Sequence, residues 1–214
     1  MKTKILIFLM TFSSFMAVRA DEKSYTEAMT AALGQMKTAA TVEDFTTVAN
    51  LFERIAQAEK DKWLPYYYAG YASVIESFVN KDQTKTDKIL DYAEKMINEA
   101  VKINADESEI YVVQGFMYIA RILVDPSTRG AQYSQLANAS FKKAQTLNPE
   151  NPRADYMLGV TLKNTPDFYG GGKKAALPVL EGAMKKYDKF VPTSEIYPNW
   201  GKDDCQKQLD ACKE

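Results

Sequence analysis

The chain has 214 residues, 46% hydrophobic and 26% charged, a balance that supports one folded domain with a real core and argues against disorder. With 27 basic and 28 acidic residues it is close to neutral, so nucleic acid is not an expected partner. It contains no histidine, which removes the commonest general base, the usual zinc ligand and every Ser-His or Cys-His nucleophile pair. No catalytic residue, metal site or cofactor is implied, and the chain is expected not to be an enzyme.

Residues 1–20 read as an export signal. Lys2 and Lys4 precede an interrupted apolar run, Val18-Arg19-Ala20 forms a small-residue cleavage site, and no acid stands before Asp21. The apolar run is too short for a comfortable membrane span. Its removal takes Lys2, Lys4 and Arg19 from the 27 basic residues and leaves a net charge of about −4. The expected location is a bacterial periplasm or the outside of the cell, with the membrane only an export route. No cysteine stands at the cleavage point, so a lipid anchor is not expected.

Tyr25 to Thr38 are strong helix formers with Met29, Leu33 and Met36 on one side. Thr41 caps a second helix with an acidic first turn at Glu43 and Asp44 and a stripe of Phe45, Val48, Phe52 and Ile55. A turn at Asp61 to Pro65 leads to a third helix, apolar nearly all round and therefore expected between neighbours. Asn80 to Lys88 is highly polar and reads as a loop before a helix from Ile89 to Ile103; the acids Asp87, Asp91, Glu94 and Glu99 lie at helical spacings mixed with lysines and read as a solvated face. Ser108 to Leu123 forms a fifth helix, and Val124 to Gly130 a second loop.

Ala137, Phe141 and Ala144 stripe the sixth helix, which Asn148-Pro149-Glu150-Asn151-Pro152 ends before a seventh carrying Tyr156, Leu158 and Gly159. Asn164 to Gly172 contains a glycine run directly before a helix. The phosphate-loop pattern GxxxxGK[ST] is absent there and no strand precedes it, so the run reads as a flexible turn. A helix through Tyr187, an irregular strap and a last helix from about Lys202 complete the chain. Cys205 and Cys212, seven residues apart, lie about 10.5 Å apart along a helix, beyond the roughly 7 Å reach of a disulfide. They read as packed thiols or as partners in a local or intermolecular bridge that needs the helix to break.

Small residues recur in four sets: Gly34, Ala49, Ala56; Gly70, Ala93, Ala100; Gly115, Ala137, Ala144; and Gly159, Ala176, Ala183. The first alanine of each set precedes the next glycine by 21, 22 and 22 residues. This register resembles the tetratricopeptide repeat (TPR), in which small positions let two antiparallel helices approach closely. The glycine-to-alanine distances of 15, 23, 22 and 17 are longer than the family's and predict extra turns or longer inner loops. The fold class is then all-α: an antiparallel helix-hairpin solenoid of about four degenerate TPR-like repeats over residues 21–190, with a strap and capping helix at 191–214.

The resemblance implies a binding or scaffold protein whose first helices line a concave groove. In the TPR register the groove positions are Leu64, Tyr67, Tyr71, Val74 and Ile75 in the second repeat. In the third they are Glu109, Val112, Phe116, Ile119 and Ala120, and in the fourth Arg153, Tyr156, Val160, Lys163 and Asn164. Tyr67, Tyr71, Phe116 and Tyr156 are the expected recognition surface, with Arg153 and Lys163 supplying charge at one end. The expected partner is a protein or peptide. The alternative is a small apolar ligand, since the chain is also loosely similar to the periplasmic T-component of tripartite ATP-independent transporters. An apolar groove of this kind can equally be filled by the protein's own tail or N-terminal helix.

Overall fold

Residues 22–214 are described by the structure, a computed structural model; the expected export signal at residues 1–20 lies outside them. Helix α1 occupies residues 22–38. It is followed by α2 (Val42–Ala58), α3 (Trp63–Val79), α4 (Gln83–Ile103), α5 (Ser108–Val124), α6 (Pro126–Leu147), α7 (Pro152–Asn164), α8 (Lys173–Tyr187) and α9 (Lys202–Lys213). The described residues contain no strand. Among α2 to α9 the closest-packed pairs are α2 with α3, α3 with α4, α5 with α6, and α7 with α8; α3 also meets α5, and α5 meets α7. The architecture is a helix-hairpin solenoid.

Size at the crossings explains the close approach within the hairpins. A Cβ built on Gly70 would stand 2.9 Å from Ile97, one on Gly115 2.3 Å from Phe141, and one on Gly159 2.6 Å from Leu180. Each of these partners is flanked by fully buried alanines, Ala93 and Ala100, Ala137 and Ala144, and Ala176 and Ala183. The small residues on both helices let the backbones come together around one large side chain per hairpin.

Gly34 departs from this pattern. It is exposed and has nothing within 4 Å of its would-be Cβ. Helix α1 buries Tyr25, Met29 and Ala32, and Gly34, two residues beyond Ala32, lies about 200° round from that face.

Both expected inner loops are mostly helix. Between α3 and α4 only residues 80–82 lie outside helices, and Asp82 caps α4 by accepting from the Thr84 amide. Between α5 and α6 stands Asp125 alone. Pro126 opens α6, where its missing N–H has no intrahelical partner to lose, and Asp125 accepts from Thr128. The extra residues of the second and third hairpins are thus extra turns, giving α4 21 residues and α6 22.

The glycine turn is ordered as well. Gly170 donates to the Asp167 carbonyl and Gly172 to that of Leu162, both at 2.9 Å. Gly170 and Gly172 have φ of +82° and +89°, and a Cβ on Gly171 would stand 2.2 Å from the Thr165 carbonyl oxygen. The glycines serve a tight, bonded turn.

The core has two parts, one around α1 to α5 and one around α5 to α9, joined by Phe116, Tyr118 and Trp200, which pack against both. Residues 188–201 cross the stack as a strap. Tyr68 donates to the Ile196 carbonyl at 2.9 Å and Tyr197 to the Glu107 carboxylate at 3.0 Å. Helix α9 then packs on α8 and α7, burying Cys205 and Leu209. Both cysteines are free thiols.

Candidate functional site

Counted from the shared glycines, Tyr71, Phe116 and Val160 are equivalent positions on the first helices of the hairpins, as are Val74, Ile119 and Lys163, and Phe78 and Leu123. Along this face the aromatic rings form a ladder. Tyr67 stacks near Tyr71 with centroids 6.3 Å apart, Trp200 of the strap stacks on Tyr71 at 4.9 Å, and Phe116 lies 6.5 Å from both Tyr71 and Trp200. Phe78 then stacks on Phe116 at 5.0 Å with planes 22° apart.

The ladder runs from closed to open. Tyr67 is fully buried, Tyr71, Phe116 and Ile119 are half-buried, and Phe78 and Leu123 are 42% and 57% exposed. The inner end is filled by the protein's own tail: the Trp200 indole donates to the Tyr67 hydroxyl at 2.8 Å, and the Trp200 carbonyl accepts from Tyr187 at 3.2 Å. The outer end exposes Phe78, stacked on Phe116.

The expected groove residues divide accordingly. Leu64, Tyr67, Val74, Val112 and Ala120 are core, and Tyr156 is nearly so. Tyr71, Ile75, Phe116, Ile119, Val160 and Lys163 are half-buried, while Asn164 is exposed and donates to the Val160 carbonyl. Burial pushes the hydroxyls of Tyr67, Tyr71 and Tyr156 above the usual phenol range, so they stay neutral.

Arg153 does not supply charge to the groove. It is fully buried and gripped by Glu109 through three hydrogen bonds of 2.7 to 2.9 Å, with the guanidinium 4.4 Å from the Phe190 ring centroid. Burial opposes its charge, but the Glu109 carboxylate more than offsets this, so Arg153 titrates above its ordinary value. The pair ties α5 to α7 beneath the strap.

The acids on α4 are likewise more than a solvated face. Asp87, Asp91 and Glu94 converge on buried Arg121 of α5 at 3.1, 2.6 and 3.0 Å, and Arg129 grips Asp87 through two bonds. Hydrogen bonding from Arg129, aided by Arg121, holds the Asp87 carboxyl below the usual range. The cluster braces α4 against α5 and α6. Among the described residues no group of acids and thiols is arranged to hold a metal ion.

Phe78 and Leu123 were not among the expected groove residues, and Trp200 was expected in a tail that covers the end of the fourth hairpin. Phe78 and Leu123 extend the lines 71, 74, 78 and 116, 119, 123, a signal that was present. The TPR groove positions stop at the thirteenth residue of the repeat, whereas α3 and α5 each run for 17 residues. Trp200 comes from the tail and carries no local signal.

The fold is similar to that of a solved haemophore. The HusA haemophore from Porphyromonas gingivalis superposes with a TM-score of 0.81 at 31% sequence identity, over 88% of this chain and 92% of that one. This chain belongs to the HusA haemophore family. The helical-repeat architecture is therefore shared with a haemophore, whereas the expectation had been a TPR relative. No family model and no curated protein matches the sequence. No helix among the described residues is long and apolar enough to cross a membrane.

Proposed function

We propose that this chain is an exported carrier that captures haem or a closely related porphyrin on the open end of its concave aromatic face. The observation that carries the reading is the half-exposed ladder of Phe116 and Phe78, extended by Ile119 and Leu123, in a chain whose relative is a haemophore. A planar apolar macrocycle is a natural partner for such a face, since offset stacking adds about 0.5 to 1.5 kcal/mol per ring pair beyond the gain from burial. Apolar surface of this kind, rimmed by polar residues, marks a binding site more often than bare surface.

With no histidine in the chain, the usual nitrogen ligand to haem iron is missing, and the neutral tyrosine hydroxyls of this face are poorly suited to replace it. Capture therefore depends on the macrocycle's faces. The small ligand is favoured over a peptide because the strap already fills the inner groove and leaves only its outer end open. Binding without catalysis, in the periplasm or outside the cell, is part of the same proposal.

The test is titration with haemin, followed by absorbance, of the native chain and of Phe78→Ser and Phe116→Ser, with folding monitored by circular dichroism. Saturable binding by the native chain, weakened tenfold or more in folded variants, is the expected result. Native affinity in both folded variants places the site elsewhere, and no binding by the native chain removes the haem reading.

A further inference from the structure

We propose that the concave face carries a carboxylate subsite at Lys163, so that the carrier selects porphyrins bearing free acid groups. This rests on the porphyrin reading above and names the polar half of the same site.

Six lysines and arginines among the described residues are half-buried or buried: Lys62, Arg121, Arg129, Arg153, Lys163 and Lys186. Five of them pair with a carboxylate, Lys62 with Glu22, Arg121 and Arg129 with Asp87, Arg153 with Glu109, and Lys186 with Asp155. Lys163 is the exception. Its ammonium donates to the side-chain oxygen of Gln208, a neutral amide, at 2.8 Å, and no carboxylate among the described residues lies within ion-pair distance. Sheltering a cation without a counter-charge is unfavourable. An ammonium has three donors, and one of them is taken by Gln208.

The placement fits the ligand chemistry. Lys163 follows Val160 by one turn on α7, which packs against α5, and Val160 is the register equivalent of Phe116. Packed helices lie about 8 to 10 Å apart, so a macrocycle stacked on Phe116 extends toward α7 with its acid side chains. The acid nearest Lys163 in sequence, Asp167, is folded onto the glycine turn, its Oδ1 2.0 Å from where a Cβ on Gly172 would stand. A ligand carboxylate at Lys163 would form a charge-assisted hydrogen bond.

The experiment compares protoporphyrin IX with its dimethyl ester, which keeps the macrocycle and removes both acids. Native chain, Lys163→Met and Lys163→Arg are each titrated, following the quenching of tryptophan emission. The native chain is expected to bind the diacid about tenfold more tightly than the ester, the scale of a hydrogen bond to a charged group. Lys163→Met should lose that preference by weakening diacid binding alone, and Lys163→Arg should retain it. Equal binding of diacid and ester by the native chain, or an undiminished preference in folded Lys163→Met, overturns the subsite while leaving the porphyrin reading in place. Failure of the native chain to bind either compound overturns both.

Discussion

The Arg153 guanidinium and the Glu109 carboxylate, 44 residues apart in sequence, face each other with neither side chain open to solvent. Arg153 also donates to the Trp200 carbonyl at 3.4 Å, so the pair supports the strap that holds Trp200 over Tyr71. Removing one partner strands the other as a buried charge, which typically costs about 3 to 5 kcal/mol. Arg153→Met and Glu109→Leu should each lower stability by about that amount in urea denaturation. The double variant should recover much of the loss, because two apolar side chains leave no charge uncompensated. Single variants as stable as the native chain would show that the pair contributes nothing.

The glycines make opposite predictions at two positions. Gly115→Ala places a Cβ into the Phe141 ring and should cost about 1 to 3 kcal/mol through overpacking. Gly34→Ala meets nothing within 4 Å on an exposed helix face and should stabilise by up to about 1 kcal/mol through helix propensity. Thermal melts of the two variants moving in the same direction would contradict the crossing geometry.

Hydrogen bonds from Thr128 and Ser127 hold the Asp125 carboxyl down at about 2, against an ordinary value of 3.8. A carboxyl depressed by folding contributes stability that is fully present above its unfolded value and is lost as pH falls toward its folded one. The native chain should therefore lose part of its stability between about pH 4 and pH 2 through this N-cap. Asp125→Asn keeps a competent cap and removes the titration. Its denaturation midpoint should vary less with pH in that window, and an unchanged profile would remove Asp125 from the acid response.

Burial pushes the Cys205 thiol up to about 12, and the thiol sits beneath α9 facing the Leu180 carbonyl at 3.9 Å. Since the thiolate is the reactive form, Cys205 should resist an aromatic disulfide reagent at pH 8 until the protein unfolds. Cys212 is half-buried and should react first. Reaction of both thiols in the native state at equal rates would mean that α9 detaches readily.

The hairpin stack was legible in the residues themselves. Whether two helices can approach closely is decided by side-chain size at single positions, so the glycine and alanine spacing carried the register of three hairpins and, through it, the pairing of Tyr71 with Phe116. Of the two expected outcomes, extra turns or longer inner loops, residues 83–88 and 126–130 form extra turns. Asp82 and Asp125 are N-caps, and polar residues continue a helix once its first turn is capped.

What only the tertiary structure decided is which of the groove residues face a ligand. Glu109 and Arg153 sit at groove positions, yet they neutralise each other inside the protein. The inner groove is closed by Trp200, whose indole reaches a Tyr67 hydroxyl 133 residues away. Neither outcome follows from periodicity, because periodicity orients a side chain about its own helix axis and says nothing about which distant segment will lie across it.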